Sequence, residues 1–363
     1  MLKLFEVTGF RCFQETVSLD FSDVRDYHFN SACITSGLIT NMIIYGKNAI
    51  GKSNFGSALF DIAMRYPLRE DFFDATYLNT HNPNQYAMFR YVFKFKDEQV
   101  EYVYRKNAPN KLIYEKIILN DELLLEYDRD CAANCDTKGI AELSPTLILD
   151  FEKVVSVFDY VVANVPLDIE HPLRLTRDYI ARMKLLGSSG SRFSSGHRRL
   201  LPSVLLSSDG LREFNDFLCS AGVHEEVIVL KDNEGPEELY FNTTPPLPFY
   251  RAASSGTRTL LDFFIAYKRA VIKDTSLLFL DEFDSFYHFE LAENLVKLLE
   301  RIENTQVIIT SHNTKLLNNR IMRPDCYFIM TKDKLTSFAN ATERELREGH
   351  NLEKLFISGE FGE

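Results

Sequence analysis

Tryptophan is absent, and no apolar run approaches the roughly 18 residues that a membrane-spanning helix needs. The opening Met1-Leu2-Lys3-Leu4-Phe5-Glu6 lacks the long apolar stretch of a secretory signal, so a cytoplasmic location and no membrane partner are expected. Cysteine is sparse: the six, at 12, 33, 131, 135, 219 and 326, form no disulfide-dense pattern. Only Cys131 and Cys135 stand close, and a C-x-x-x-C without a second ligand pair reads as a reduced surface loop rather than a zinc site. No internal repeat or sustained heptad array is visible, so the chain has neither solenoid nor coiled-coil patterning. Positive charge is also short. The 41 Lys and Arg against 52 Asp and Glu leave a net charge of −11, which argues against a broadly basic nucleic-acid-binding face, although a local patch can sit within it.

What is present suffices for a large core. The 363 residues are 45% hydrophobic, with 29 phenylalanines carrying much of the aromatic content, and the length suggests two lobes or one large domain with an insertion. One stretch organises the rest: Gly46-Lys47-Asn48-Ala49-Ile50-Gly51-Lys52-Ser53 is a complete G-x-x-x-x-G-K-[ST] loop. It follows the apolar Met42-Ile43-Ile44-Tyr45, a buried strand by its pattern, and precedes residues 54–63, whose apolar spacing suits a helix. Strand, loop and helix make the context of a phosphate-binding P-loop. Glycines at 46 and 51 let backbone N–H groups converge on an anion, and the helix N-terminus adds its positive end. Lys52 would reach the β- and γ-phosphates, and Ser53 would hold Mg²⁺.

Ahead of the loop, residues 2–7 and 16–21 read as strands around the aromatic turn Gly9-Phe10-Arg11-Cys12-Phe13. From Tyr86 to Asp128 the pattern is that of an antiparallel β subdomain: strands at 91–95 and 100–104 flank a hairpin loop at 96–99, and strands at 112–119 and 123–127 flank another at 120–122. Residues 129–224 read mostly as helices, among them 175–186 and 211–221. The Ser/Gly-rich 187–199, with Arg192, Arg198 and Arg199, reads as a mobile loop; its sharper alternative is a nucleic-acid or partner contact. Strands follow at 226–230 and 238–241.

The second half of the nucleotide site lies far along the chain. Ser276 to Leu280 is an apolar strand expected beside the P-loop strand, ending in Asp281 and Glu282; there Asp281 would hold Mg²⁺ and Glu282 would polarise a water. Gln306 to Thr310 is another such strand, ending in Ser311-His312-Asn313, where a histidine can reach a γ-phosphate. Between the halves, Ala252-Ala253-Ser254-Ser255-Gly256-Thr257 opens an amphipathic helix. Such a turn serves as an ordinary cap or as an anion-binding helix end for a nucleotide held by a second copy.

This order of motifs resembles the ABC-type ATPases of the SMC and RecF class. More narrowly it is similar to the compact AAA-family ATPases of bacterial abortive-infection and anti-phage systems, of which the ATPase subunit of PARIS is one. The matching pieces include 44–48 with 51–54, 253–257, 281–285, the opening 7–13 and the tail 351–362. The resemblance implies an α/β fold, a P-loop NTPase ABC-type head with an antiparallel β subdomain and a helical insertion. Residues 1–128 would form the N-terminal half of the head with P-loop and β subdomain, 129–245 a mostly helical insertion, and 246–363 the C-terminal half. It implies ATP and Mg²⁺ as cofactors, bound by Gly46, Asn48, Gly51, Lys52, Ser53 and Asn54 of one copy and Ser254, Ser255 and Gly256 of another. Lys52, Glu282 and His312 would be catalytic; Ser53, Asp281 and Gln85 would hold the metal. Asp284, Ser285 and His288 would fall in the segment crossing a homodimer interface.

SMC proteins that tether DNA carry long coiled coils between the two nucleotide motifs, and OLD-type nucleases add a TOPRIM domain after the histidine; here only 51 residues follow His312. Nuclease activity is therefore expected in a separate protein. The reading that results is an ATP-hydrolysing switch that pairs head to head and controls an effector protein in anti-phage defence. Its alternative is a RecF-like, ATP-dependent DNA-binding protein. A guanine nucleotide is disfavoured because no Asn-Lys-x-Asp motif occurs.

Overall fold

The computed structural model describes residues 1–64, 76–129, 135–149, 154–187, 203–207, 209–231 and 237–362. The chain enters through β1 (Leu2–Thr8) and β2 (Val17–Asp20), passes the short pair β3 (Ile34–Thr35) and β4 (Leu38–Ile39), and reaches β5 (Asn41–Tyr45), buried at every position. Helix α1 (Lys52–Leu59) follows, then four strands: β6 (Ala87–Phe95), β7 (Glu98–Ala108), β8 (Lys111–Leu119) and β9 (Glu122–Asp128). Their hairpins are tighter than the sequence pattern suggests, with Lys96-Asp97 and Asn120-Asp121 as the turns. Asn120 and Asp121 both take left-handed φ, at 49° and 66°, a conformation that Asn and Asp tolerate.

Helices α2 (Lys138–Leu143), α3 (Val157–Asn164) and α4 (Pro172–Ala181) come next, then β10 (Met183–Leu186), α5 (Ser203–Leu206), α6 (Gly210–Ser220), β11 (Val227–Lys231), β12 (Glu237–Phe241), β13 (Leu247–Pro248) and α7 (Phe249–Ala252). The final third holds α8 (Ser255–Val271), β14 (Leu277–Leu280), α9 (Phe289–Leu299), β15 (Gln306–Thr310), β16 (Tyr327–Met330), β17 (Leu335–Ser337) and α10 (Leu352–Ile357).

Two six-stranded sheets carry the molecule. One runs β10-β14-β15-β5-β16-β17 and is parallel except for β17; its central strands are buried along their length and largely apolar because both faces are covered. The other, β2-β1-β6-β7-β8-β9, is antiparallel, with burial alternating along β7 as a one-sided sheet requires. Helix α1 lies against this second sheet. Phe55 meets Phe5 edge-on with ring centroids 5.5 Å apart, and the Tyr91 hydroxyl donates to the Ala58 and Leu59 carbonyls at the helix end, 3.1 and 3.2 Å away. Just beyond, buried Asp61 accepts from Lys106 Nζ (2.6 Å), the Tyr104 hydroxyl (2.8 Å) and the Tyr77 hydroxyl (2.9 Å), which ties the P-loop helix to β7. The result is an α/β P-loop head with an antiparallel β subdomain.

Two expectations change. The helix expected over 175–186 stops at Ala181, and Met183–Leu186 is instead the edge strand paired in parallel with β14. The short stretch Met-Lys-Leu-Leu satisfies either period, and the open edge of β14 decides. Met183–Leu186, within the span 129–245 expected to be mostly helical, therefore joins the central sheet. Second, β14 does not adjoin the P-loop strand, because β15 lies between them.

Candidate nucleotide site

The register of the central sheet aligns three strand ends. Leu280 pairs with Ile309, and Thr310 with Ile44, so the segments after β14, β15 and β5 leave the sheet along one edge, where open α/β sheets bind ligands. At that edge Gly51 is the N-cap of α1, with φ of 115°, a region costly to any residue with a Cβ; it offers no capping side chain, which leaves the first N–H groups of the helix for an anion. A methyl group on Gly51 would sit 2.9 Å from Cys12 Sγ, and one on Gly46 would sit 2.7 Å from the Met330 carbonyl oxygen. The loop is thus wedged between the end of β16 and the aromatic turn 9–13. That turn packs beneath it: Phe13 faces Phe55 at 6.5 Å, and Asn54 donates to Cys12 Sγ (3.2 Å) while accepting from Arg11 Nη1 (3.2 Å). Lys52 Nζ donates to the Gly46 and Lys47 carbonyls at 2.8 and 3.2 Å, bridging the loop, while Asn48 and Ser53 are exposed.

The acidic end of β14 is held by a residue to which no sequence motif assigns a role. The Thr310 hydroxyl donates to Asp281 Oδ1 at 2.7 Å and accepts from the Glu282 N–H at 2.7 Å. It therefore orients one carboxylate and pins the turn that presents the other, where Glu282 takes a left-handed φ of 49°. In the sequence the only signal for this role is a lone hydroxyl closing the apolar run Gln306–Thr310. Ser311 continues the support, its Oγ accepting from the Asn313 N–H at 2.9 Å.

Electrostatics bring the distant motifs together. Burial lowers the Lys52 ammonium below its ordinary value, against the pull of Asp281, Glu282 and Asp284. Burial also lowers His312, and the Lys52 charge lowers it further, against Asp284, Glu282 and Asp281. Lys52, the three carboxylates and His312 thus form one interacting cluster.

Other expected site residues stand apart. Ser254 caps α8, its Oγ accepting from the Thr257 N–H at 3.0 Å; Ser255 is exposed and Gly256 half-exposed. Within one chain this turn is an ordinary cap. Gln85 lies in the exposed turn before β6 with φ of 53°, and no hydrogen bond among the described residues ties it to Ser53 or Asp281. Ser285 and His288 are exposed, His288 at the N-cap of α9. Cys131, Arg192, Arg198 and Arg199 lie outside the described residues.

The donor set suits a nucleoside triphosphate with Mg²⁺: an uncapped helix head and a lysine for phosphate, and hard oxygens from Ser53 and Asp281 for the metal. Thr310 engages one oxygen of Asp281 and leaves the carboxylate a second for a cation.

Residues 164–318 match the family model described as "AAA domain, putative AbiEii toxin, Type IV TA system". The span takes in Ser254–Gly256, Asp281, Glu282 and His312 and leaves out the P-loop. Comparison with the curated proteins finds no match. Among solved structures, the chain is similar to an Smc head bound to the C-winged helix domain of ScpA, at 13% identity and TM-score 0.49, over 93% of this chain and 97% of that one. It is also similar to the SMC head domain from Thermotoga maritima, at 16% and 0.44, over 93% and 98%. A third is an Smc head domain with an extended coiled coil bound to the C-terminal domain of ScpA derived from Pyrococcus furiosus, at 13% and 0.42, over 93% and 95%.

Proposed function

We propose that this chain is an ATP-binding and ATP-hydrolysing switch that pairs head to head with a second copy around ATP and controls a separate effector protein in anti-phage defence. The observation that carries the enzymatic part is the cluster of Lys52, Asp281, Glu282, Asp284 and His312 at one sheet edge, beside an uncapped P-loop helix. Lys52 would bind phosphate, Ser53 and Asp281 would hold Mg²⁺, and Glu282 would orient and deprotonate a water, with His312 as a hydrogen-bonding partner. Bound Mg²⁺ would supply charge neutralisation at the phosphates.

Pairing is supported by the exposed head of α8, which its own P-loop has no need of, and by the exposed aromatic rings of Phe286 (39%) and Phe289 (49%) in the segment after Glu282. The defence role is supported by the description of the family matched over 164–318. The test is nucleotide binding and association together. Wild-type protein should bind a fluorescent ATP analogue with Mg²⁺ and Lys52→Ala should not. Glu282→Gln should bind, hydrolyse at least 100-fold more slowly and sediment as a dimer with ATP. A protein that binds ATP yet stays monomeric as Glu282→Gln would keep the enzyme and lose the switch.

A further inference from the structure

The C-terminal segment 351–362 returns to the nucleotide edge of the central sheet and grips both loops that carry the chemistry. Its helix α10 is anchored by Leu352, fully buried, and capped by the Asn351 side chain, which accepts from the Lys354 N–H at 2.9 Å. Beyond the helix, Phe361 stacks on Phe338 with centroids 4.1 Å apart, and Glu360 accepts from the Thr342 hydroxyl at 2.6 Å.

From this anchored segment two side chains reach the site. Glu353 accepts from the Thr314 hydroxyl at 2.9 Å and pairs with Lys315 Nζ at 3.0 Å, the residues two and three positions beyond His312. Lys315 and Thr314 together hold its carboxyl below the ordinary carboxylate range. Phe356 packs on Tyr45, centroids 5.7 Å apart, and on Phe338 at 5.8 Å. Tyr45 is the residue before Gly46, and its hydroxyl donates to the Asn313 carbonyl at 3.2 Å, joining the start of the P-loop to the residue after His312. The tail therefore closes a ring: Glu353 to Thr314 and Lys315, along the loop to Asn313, across to Tyr45, and back through Phe356.

We propose that residues 351–362 are a positioning clamp that fixes the His312 loop against the P-loop, with Glu353 as the positioning residue for His312. The catalytic consequence rests on the ATPase reading; the clamp itself rests on contacts present without nucleotide. Glu353 acts through Thr314 and Lys315, so its loss should loosen the loop and slow the chemical step while leaving phosphate binding by Lys52 and the helix head in place.

The experiment compares wild type with Glu353→Ala and Glu353→Gln. Gln keeps an acceptor for the Thr314 hydroxyl but loses the charge facing Lys315. The first readout is backbone hydrogen exchange of the 311–318 segment in nucleotide-free protein; the others are Kd for ATP, KM and kcat. Glu353→Ala should speed exchange in that segment severalfold and lower kcat about 3–10-fold, with Kd within twofold of wild type. Glu353→Gln should fall between. Unchanged exchange at 311–318 overturns the clamp; faster exchange with an unaltered kcat, or a fall in kcat and ATP binding in equal measure, overturns Glu353 as the positioning residue for His312. Should Glu353→Ala fail to fold, Phe356→Leu is read by the same criteria, since it thins the contact with Tyr45 and keeps an apolar side chain. Exchange is measured without ATP, so the clamp and the ATPase reading fail separately: wild-type protein that does not hydrolyse ATP sinks the second and leaves the first to the exchange result.

Discussion

Thr310 offers the sharpest test of how the strand ends are coupled. Replacing it with valine keeps the shape and swaps the hydroxyl for a methyl group. The side chain is fully buried, so water cannot readily take its place. Two bonds of 2.7 Å disappear: the donation to Asp281 Oδ1, which is charge-assisted, and the acceptance from the Glu282 N–H. A hydrogen bond to a charged group contributes about 1.5–3 kcal/mol, and a buried donor left without a partner costs about 1–3 kcal/mol. Asp281 and Glu282 are half-exposed and recover part of this from solvent, which brings the expected loss of folding stability to about 2–3 kcal/mol. The functional loss should be larger than stability alone explains, because an unheld Asp281 can rotate away from the position proposed for the metal; partners of this kind are worth about 10–100-fold in metal affinity or activity. The assay is steady-state ATP hydrolysis across a Mg²⁺ titration, well below the melting transition, with Thr310→Ser as control. Thr310→Val should shift the Mg²⁺ midpoint upward and lower kcat at saturating metal, while serine, which keeps the hydroxyl, should restore most of both. A valine variant with an unshifted Mg²⁺ midpoint and kcat within twofold of wild type would refute the role assigned to Thr310.

Further expectations concern stability. Lys106→Met removes the cation from a buried carboxylate and should cost about 3 kcal/mol in urea denaturation, near the lower end for a broken buried pair because the Tyr77 and Tyr104 hydroxyls remain on Asp61. The double variant Asp61→Asn/Lys106→Met should cost less than the single one. Burial pushes the Glu300 carboxyl up from 4.5 to about 7, and its Oε1 has no hydrogen-bond partner among the described residues. An acid raised in the fold is held protonated there, so the unfolded chain releases its proton first as pH rises, and stability falls between about pH 4.5 and 7. Glu300→Gln should abolish that fall and gain about 1 kcal/mol over wild type at pH 8, after allowance for solvent screening, with no gain near pH 4.5. Melting curves at the two pH values check it.

Local sequence determined the strand-loop-helix unit around Gly46–Ser53, because the loop's pattern is written in eight consecutive residues and its flanks carry the strand and helix periods on either side. The hairpins of the β subdomain were legible for a similar reason, since alternation and turn residues act within a few positions of each other. The acidic end of β14 and the histidine after β15 could be named from short patterns, but their meeting with Lys52 depends on strand order and register, which no single segment encodes. Tertiary structure alone placed β15 between β14 and β5, turned Met183–Leu186 from helix to edge strand, and gave Thr310 its two partners. It also brought the tail to Tyr45 and Thr314 from across the fold, through side chains such as Phe356 and Glu353 that look ordinary in sequence. The physical reason is common to these cases: a hydroxyl, a ring or a carboxylate acquires a role from the atoms packed against it, and those atoms here lie as many as 311 positions away in the chain.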